Sequence, residues 1–322
     1  MGATNEHHHA DRIEAAIGAG QAAKSALVAS WRRSSRLHRL DPSVIRPPLR
    51  LTEPEVRQTI ERNEPLIGAA RSAMNRLYQA VGTIGCCVLL ASREGVPVDR
   101  RGAPADDPSF ERWGLWTGSL WSEEHEGTNG IGTCLAEQRT LTIHRDQHFF
   151  SRNTLLSCTA VPIYDGNARL AGVLDVSSCR ADHTDAVATL IALAVGDAAR
   201  RIETELFRCT FADARIVLTP PTDTRGGGLL AIDRDDLVIG ATRDARLALG
   251  IPPDGQLRPV PAVDLLCCDE GIHEQLGDAQ RATVLRALTR ARGNVSAAAK
   301  ALGVSRATLH RRLKRFDLKL HA

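Results

Sequence analysis

The chain reads as an α+β protein. It should hold an antiparallel sheet flanked by helices, a small second β-containing segment, and an all-α helix-turn-helix at its C-terminal end. Three observations predict this. Apolar residues recur at helical spacing in residues 11–40, 52–80 and 184–207. Between them lie short apolar runs of strand length, two of them joined by Asp165-Gly166-Asn167, a hairpin signal. The last stretch of chain concentrates positive charge around a glycine turn. Helices frame the strands rather than alternating with them, which excludes a parallel α/β sheet.

Each element has a local reason. Ile13, Ile17, Leu27, Val28 and Trp31 give residues 11–40 their helical spacing, and Asp41-Pro42 and Pro47-Pro48 interrupt it. Thr52 and Glu55 form a capping box that opens a second helix, which bends before Pro65 and ends near Ala80. Residues 84–91 are an apolar strand. Residues 95–108, rich in Gly, Pro and Asp, read as a loop. Residues 130–138 are a short helix, 140–144 a strand, and 159–164 and 169–177 the two arms of the hairpin. Residues 184–207 form a long helix with Val187, Leu190, Ile191, Ala194 and Ile202 on one side. Residues 229–233 and 238–242 are two strands around a polar turn, followed by a helix over 243–249. Pro220-Pro221, Gly226-Gly227-Gly228, Pro252-Pro253, Pro259 and Pro261 bracket that segment, so it reads as a small docking unit between flexible joints. The domain boundaries expected are 1–50, 51–210, 211–262 and 263–322.

Residues 281–320 hold 11 Lys/Arg and one acid, Asp317, against a net charge of +3 for the whole chain. A basic tip on a mildly acidic body implies a polyanion partner. Val284, Leu285 and Leu288 share a helical face, Gly293-Asn294 breaks the helix, and residues 295–302 form a short alanine-rich helix that another backbone can approach. Gly303 supplies a positive-φ turn, Val304 plugs the corner, and Ser305 caps the next helix, whose Leu309 and Leu313 face inward. This is helix-turn-helix spacing. The stretch GNVSAAAKALGVSRATLHRRLKRF resembles the DNA-binding module of the factor-for-inversion-stimulation (Fis) type. The resemblance implies that Ser305, Arg306, Thr308, His310 and Arg311 face the major groove or its flanking phosphates, and that Asn294 and Ser296 touch phosphate. Arg312 and Lys314 extend the same outward basic face. Arg306 and Arg311 can fork onto guanine or clamp phosphates.

The middle of the chain carries Trp121-Ser122-Glu123, Gly127-Thr128-Asn129, Ile131-Gly132-Thr133, His148-Phe149, Ser157-Cys158, Val161-Pro162-Ile163 and Gly172-Val173-Leu174-Asp175. With Ser30-Trp31-Arg32-Arg33-Ser34 and Asn63-Glu64-Pro65-Leu66 ahead of them, these resemble the GAF sensory domain of the acetoin-catabolism regulator family. The resemblance implies a GAF-like sheet with a small-molecule pocket over one face, and a regulator responding to acetoin or another small alcohol, aldehyde or ketone. It also implies a PAS-like character for the segment after residue 211. Gly127-Thr128-Asn129-Gly130 offers backbone amides at a helix start, Trp116, Trp121 and Phe149 offer apolar walls, and His148 and Cys158 offer polar contacts. The same residues suit a plainer role: Trp121 as a core plug, Thr128 and Asn129 as caps, Cys158 as a core thiol.

Composition narrows the rest. At 322 residues and 43% hydrophobic, the chain is long enough for two or three domains with real cores. Its apolar runs fall short of a membrane span and it shows no apolar leader, which predicts a cytoplasmic protein without a membrane partner. Eight cysteines form no C-x-x-C pair, so free, mostly buried thiols are expected, with no cofactor and no metal site. The run His7-His8-His9 reads as a disordered tail. Larger relatives in the resembling family carry an ATPase between sensor and helix-turn-helix. Here Gly-Lys never occurs, and residues 261–280 cannot house such a domain, so no ATP hydrolysis is expected. The reading is a ligand-responsive regulator, not an enzyme, that binds double-stranded operator DNA as a homodimer, with residues 184–207 as the dimer strut. Two alternatives use Cys86, Cys87, Cys134 and Cys158: a thiol redox sensor, or a GAF-type sulfoxide reductase. A third is a DNA-bending architectural protein.

Overall fold

The computed structural model describes residues 3–180, 184–219, 227–253, 255–266, 276–291 and 293–316. The chain divides into two compact units, Met1–Leu266 and Cys267–Ala322. Pro220-Pro221, Gly226, Cys267-Cys268 and Asp317 lie outside the described residues.

The first unit opens with α1 (Ala3–Gly18) and α2 (Ala26–Arg32). The single helical stretch expected over 11–40 is broken, because Gly20 takes φ 69° and Ser25 recaps the chain by accepting from Val28 N–H. A π-turn, Arg33–Leu37, closes this lead-in. The polar histidine start is not a loose tail: His9 is buried and its Nε2 donates to the His148 carbonyl at 3.0 Å. A long-range partner converts a polar run into an anchored one.

Next come α3 (Glu53–Arg62) and α4 (Glu64–Val81). Thr52 N–H donates to Glu55 at 2.8 Å, as the capping box requires, and the bend expected before Pro65 is a break at Asn63. Five strands follow: β1 (Cys86–Ser92), β2 (Pro97–Arg101), β3 (Leu141–His144), β4 (Ser157–Tyr164) and β5 (Leu170–Ser178). They pair antiparallel in the order β2-β1-β5-β4-β3. In the hairpin between β4 and β5, Asp165 Oδ1 accepts from Asn167 and Arg169 N–H. The stretch 95–108 is not a plain loop, since it holds β2 and the start of α5 (Asp107–Arg112). Strand β2 buries only Pro97 and Val98 before the run Asp99-Arg100-Arg101, with Arg100 over the Phe110 and Trp116 rings, so it leaves no apolar alternation to read.

Two layers cover the sheet. On one face α4 and α8 (Asp185–Thr210) pack with Val88, Leu90, Val161, Ile163, Leu174 and Val176 into one core. On the other face α5, α6 (Glu123–Glu126) and α7 (Gly130–Glu137) roof Cys87, Leu89, Cys158 and Ala160 with Phe110, Leu115, Trp121 and Ile131.

A second sheet follows, β6 (Arg215–Leu218), β7 (Leu229–Ile232), β8 (Leu237–Ala241) and β9 (Val260–Pro261), paired in that order, with α9 (Arg243–Ala248) and α10 (Ala262–Leu266). Sequence reading expected β7, β8 and α9 but not β6. This unit is not hung between joints on its α8 side. Leu229 and Ala231 pack on Phe207, and the Phe207 and Phe211 ring centroids lie 4.9 Å apart. Gly240 leaves room for Phe211, since a Cβ there would come within 2.2 Å of the ring.

The second unit contains α11 (Leu276–Arg290), α12 (Val295–Ala301) and α13 (Arg306–Arg315). Val284, Leu288, Ala298, Ala299, Leu309 and Leu313 form its core. Among the described residues no helix is long and apolar enough to cross a membrane.

Phe207 is fully buried where α8 meets the second sheet. Phe207→Ala should therefore cost about 3–5 kcal/mol, read as a lowered urea midpoint by tryptophan fluorescence and circular dichroism.

Candidate effector site and nucleic-acid interface

The roof of the sheet is tied to the lead-in by a buried carboxylate. Glu123, at the start of α6, accepts from Ser30 and Thr133 hydroxyls, and Arg33 Nε donates to it at 2.8 Å. Arg33 also reaches Glu137 at 3.0 Å. Thr128 Oγ1 lies 2.7 Å from Ser30 Oγ and 3.3 Å from Ser34 Oγ. Glu126 is held by Arg152 and Asn153, with Arg46 3.9 Å away; burial nonetheless raises its carboxyl above the usual range. Sequence reading missed all of these pairs, because the partners lie from 10 to 104 residues apart.

Asn129 is the hub of the turn that follows. Its Oδ1 accepts from Gly132 N–H at 2.8 Å and caps α7, while its Nδ2 donates to the carbonyls of Trp121 and Gly127. Trp121 is buried and its Nε1 donates to the Gly114 carbonyl at 2.7 Å. Phe149 belongs to a separate cluster with Ile13, Val28, Trp31 and Phe150. The fold thus brings Trp121 and Asn129 together, joins Thr128 to the lead-in hydroxyls, and lays Phe149 on the same turn, its N–H donating to the Thr128 carbonyl at 3.0 Å and its ring against Gly127.

His148 and Cys158 do meet, in a buried polar chain. His148 Nδ1 donates to the Arg145 carbonyl at 2.9 Å, which leaves Nε2 to accept from the Cys158 thiol at 3.4 Å. Ser177 Oγ lies 3.1 Å from that sulfur and 2.5 Å from Asp175 Oδ2. Burial lowers the His148 pKa to about 4 and raises that of Asp175 to about 7. Burial also pushes the Cys86 thiol up to about 11, and those of Cys87, Cys134 and Cys158 higher still. These four thiols are therefore poor nucleophiles, which removes the physical basis for a sulfoxide reductase built on them.

Asp175 Oδ1 has no hydrogen-bond partner among the described residues. Nor do Nε and Nη2 of Arg100, whose side chain is 10% exposed. Arg100 stacks on Trp116 at 4.3 Å and Phe110 at 5.5 Å. Neither Arg100 nor Asp175 was singled out as a site residue from sequence. A lone acid in the apolar run GVLDV was the available signal for Asp175.

The basic unit presents a different surface. Ser305 Oγ accepts from Thr308 N–H at 3.1 Å and caps α13, and Asn294 Oδ1 accepts from Ala297 N–H to cap α12. Gly293 and Gly303 take φ 80° and 62°. Ser296, Arg306, His310, Arg311 and Lys314 are exposed, while Thr308 and Arg312 are half-buried. Leu309 and Leu313 are buried beneath them, so one helix separates an apolar underside from a cationic outer face.

Comparisons with known proteins agree with this geometry. A family profile described as "MimR, N-terminal domain" matches residues 7–203, and one described as "Bacterial regulatory protein, Fis family" matches residues 275–316. The acetoin catabolism regulatory protein of Cupriavidus necator is 32% identical over 241 residues, covering 74% of this chain and 36% of that protein. The propane 2-monooxygenase operon transcriptional activator MimR of Mycolicibacterium smegmatis is 32% identical over 180 residues, covering 54% of this chain and 29% of that protein. The chain thus spans about a third of the length of these curated relatives. A chain of the E. coli DhaR(N)–DhaL complex superposes with a TM-score of 0.51 at 14% identity, over 73% of this chain and 79% of that one, which shows a shared fold.

Protonation should betray the buried polar chain. Asp175 holds its proton to about pH 7 when folded but only to about 3.8 when unfolded, so it withdraws stability as pH rises across that window. Asp175→Asn should therefore gain stability relative to the parent between pH 4 and 7, measured by urea unfolding at each pH. A flat difference would refute the buried, raised carboxyl.

Proposed function

The chain belongs to the MimR N-terminal domain family, and from that premise we propose that it is a ligand-responsive transcriptional regulator. Its GAF-like first unit receives a small-molecule effector, and its Fis-type second unit binds double-stranded operator DNA. The observation that carries this reading is α13. Arg306, His310, Arg311 and Lys314 stand exposed along one face of a capped helix whose other face is buried. Arg306 and Arg311 supply forked donors for guanine or phosphate, with Arg312 beside them. Ser305, Thr308, Asn294 and Ser296 lie at helix starts, where they suit phosphate oxygens.

A single module of this size binds weakly, so two copies of the chain reading two half-sites about one helical turn apart give the needed affinity. Helix α8 is the dimer strut: Leu190 and Leu193 lie one turn apart on it, each 66% exposed. The domain organisation that goes with this reading is a lead-in over 1–50, a sensor over 51–210, a linking sheet over 211–262 and a DNA-binding module over 263–322. In the sensor, Trp121, Thr128, Asn129, His148, Phe149 and Cys158 form the frame that shapes the effector face. Acetoin and short alcohols or aldehydes are the effectors to test first, on the strength of what the relatives are said to regulate.

Footprinting across the chain's own upstream region, with and without those compounds, tests the reading. Paired protected half-sites that shift with one compound support it; no protection at low salt sinks it. Arg306→Ala and Arg311→Ala should each weaken specific binding by about 1–3 kcal/mol. Unchanged affinity and specificity in both variants would remove α13 as the reading helix.

A further inference from the structure

Helices α4 and α8, which cover one face of the sensor sheet, hold a groove of about 560 Å³ between them. Its floor is the α4 stripe Gly68, Ala69, Ser72 and Ala73. Its walls carry Arg76 from α4 and Arg200, Arg201 and Arg208 from α8, all four exposed. A Cβ added at Gly68 would meet no atom within 4 Å, so the floor is open there.

These cations are only partly offset. Asp197 pairs with Arg201 at 2.7 Å and with Arg200 at 3.7 Å, one carboxylate shared between two guanidiniums. Glu205 is the one acid among the described residues of the lining. Among the described residues Arg76 and Arg208 make no ion pair. Along α8 the outward stripe changes character. Leu190 and Leu193, each 66% exposed, are followed at three- and four-residue spacing by Asp197, Arg201, Thr204 and Arg208. The apolar half suits a second copy of the chain. The cationic half does not, because a two-fold contact sets a patch against itself and would oppose arginine to arginine. Forked donors on both walls, above a floor without long side chains, fit a phosphate backbone. Arg201 and Arg208 are about 10.5 Å apart along the helix axis. That length matches about three phosphates of one DNA strand, at roughly 3.4 Å each.

We propose that this groove is a second DNA contact, one that grips the phosphate backbone of duplex DNA without reading bases. The inference rests on the reading of the chain as a DNA-binding regulator, and adds a surface on the first unit to the one on α13. Arginines that neutralise phosphates release counterions, so the contact is indifferent to sequence and weakens steeply with salt. Base selectivity stays with α13, and the effector face of the sheet is not involved.

The test is fluorescence anisotropy of the full chain across a range of salt, with a duplex from its own upstream region and a random-sequence duplex of equal length. Arg76→Gln combined with Arg208→Gln should weaken both duplexes alike and reduce the slope of log affinity against log salt by about 2. Arg76→Lys with Arg208→Lys should keep that slope. Ser72→Glu sets an acid on the open floor, and should weaken both duplexes without removing any arginine. Arg306→Ala should instead lower the preference for the upstream duplex. Two exposed arginines elsewhere serve as the control, and Arg112→Gln with Arg169→Gln should change nothing. Unchanged affinity and slope in the groove variants, or a loss equalled by that control, overturns the inference and leaves α13 as the DNA contact. A loss that tracks dissociation of the oligomer in sedimentation overturns it too, because the groove would then hold copies together. No binding of either duplex by the folded parent overturns both this inference and the DNA-binding reading.

Discussion

A single buried carboxylate organises the sensor. Glu123 is 5% exposed and accepts from Ser30 and Arg33 of the distant lead-in and from Thr133, ten residues on in α7. An ionised carboxylate in that position costs several kcal/mol unless its oxygens are satisfied. The requirement therefore dictates where the lead-in lies, how α6 begins and how α7 is oriented. Glu126, one turn later, is held on one oxygen by Arg152, while its other oxygen has no hydrogen-bond partner among the described residues and lies 3.9 Å from Arg46. The lead-in is thus part of the roof of the sheet, and removing it would leave two buried anions short of cations.

From that constraint the division of labour in the roof follows. The hydrogen-bonding capacity of Asn129, Thr128 and Trp121 is taken up in holding the turn, with named partners for each polar group. Among the described residues, buried polar atoms without a hydrogen-bond partner occur on the sheet, at Asp175 Oδ1, and off it, at Ser119 Oγ and Glu126 Oε1.

What the sequence discloses and what it hides divides along interaction range. The Thr52–Glu55 box, the Asp165 hairpin, the Asn129 and Ser305 caps and the Gly303 turn are all settled within four residues, so their chemistry is visible locally. The inward leucines of α13 are visible for the same reason. Strand β2 was hidden because only Pro97 and Val98 of it are buried and its other residues are Asp99, Arg100 and Arg101, which no apolar pattern reveals. His9 was hidden because its partner is the carbonyl of residue 148. The strand β6 was hidden because its pattern is half-exposed and short, and only pairing with β7 makes it a strand. At the candidate site, the residues that build the frame were legible from motif, whereas the charges beneath them depended on sheet register.

Helix α8 runs unbroken for 26 residues, from beside the sensor sheet to the rings of Phe207 and Phe211. At 1.5 Å per residue it is a rod of about 39 Å. A rod of that length is a lever with a built-in gain: a tilt of about 5° at one end carries the other end by roughly 3 Å. Its far end is keyed into the second sheet through Gly240, where no side chain intervenes to cushion the ring. Ring and backbone therefore meet directly, with no flexible side chain between the end of α8 and the second sheet.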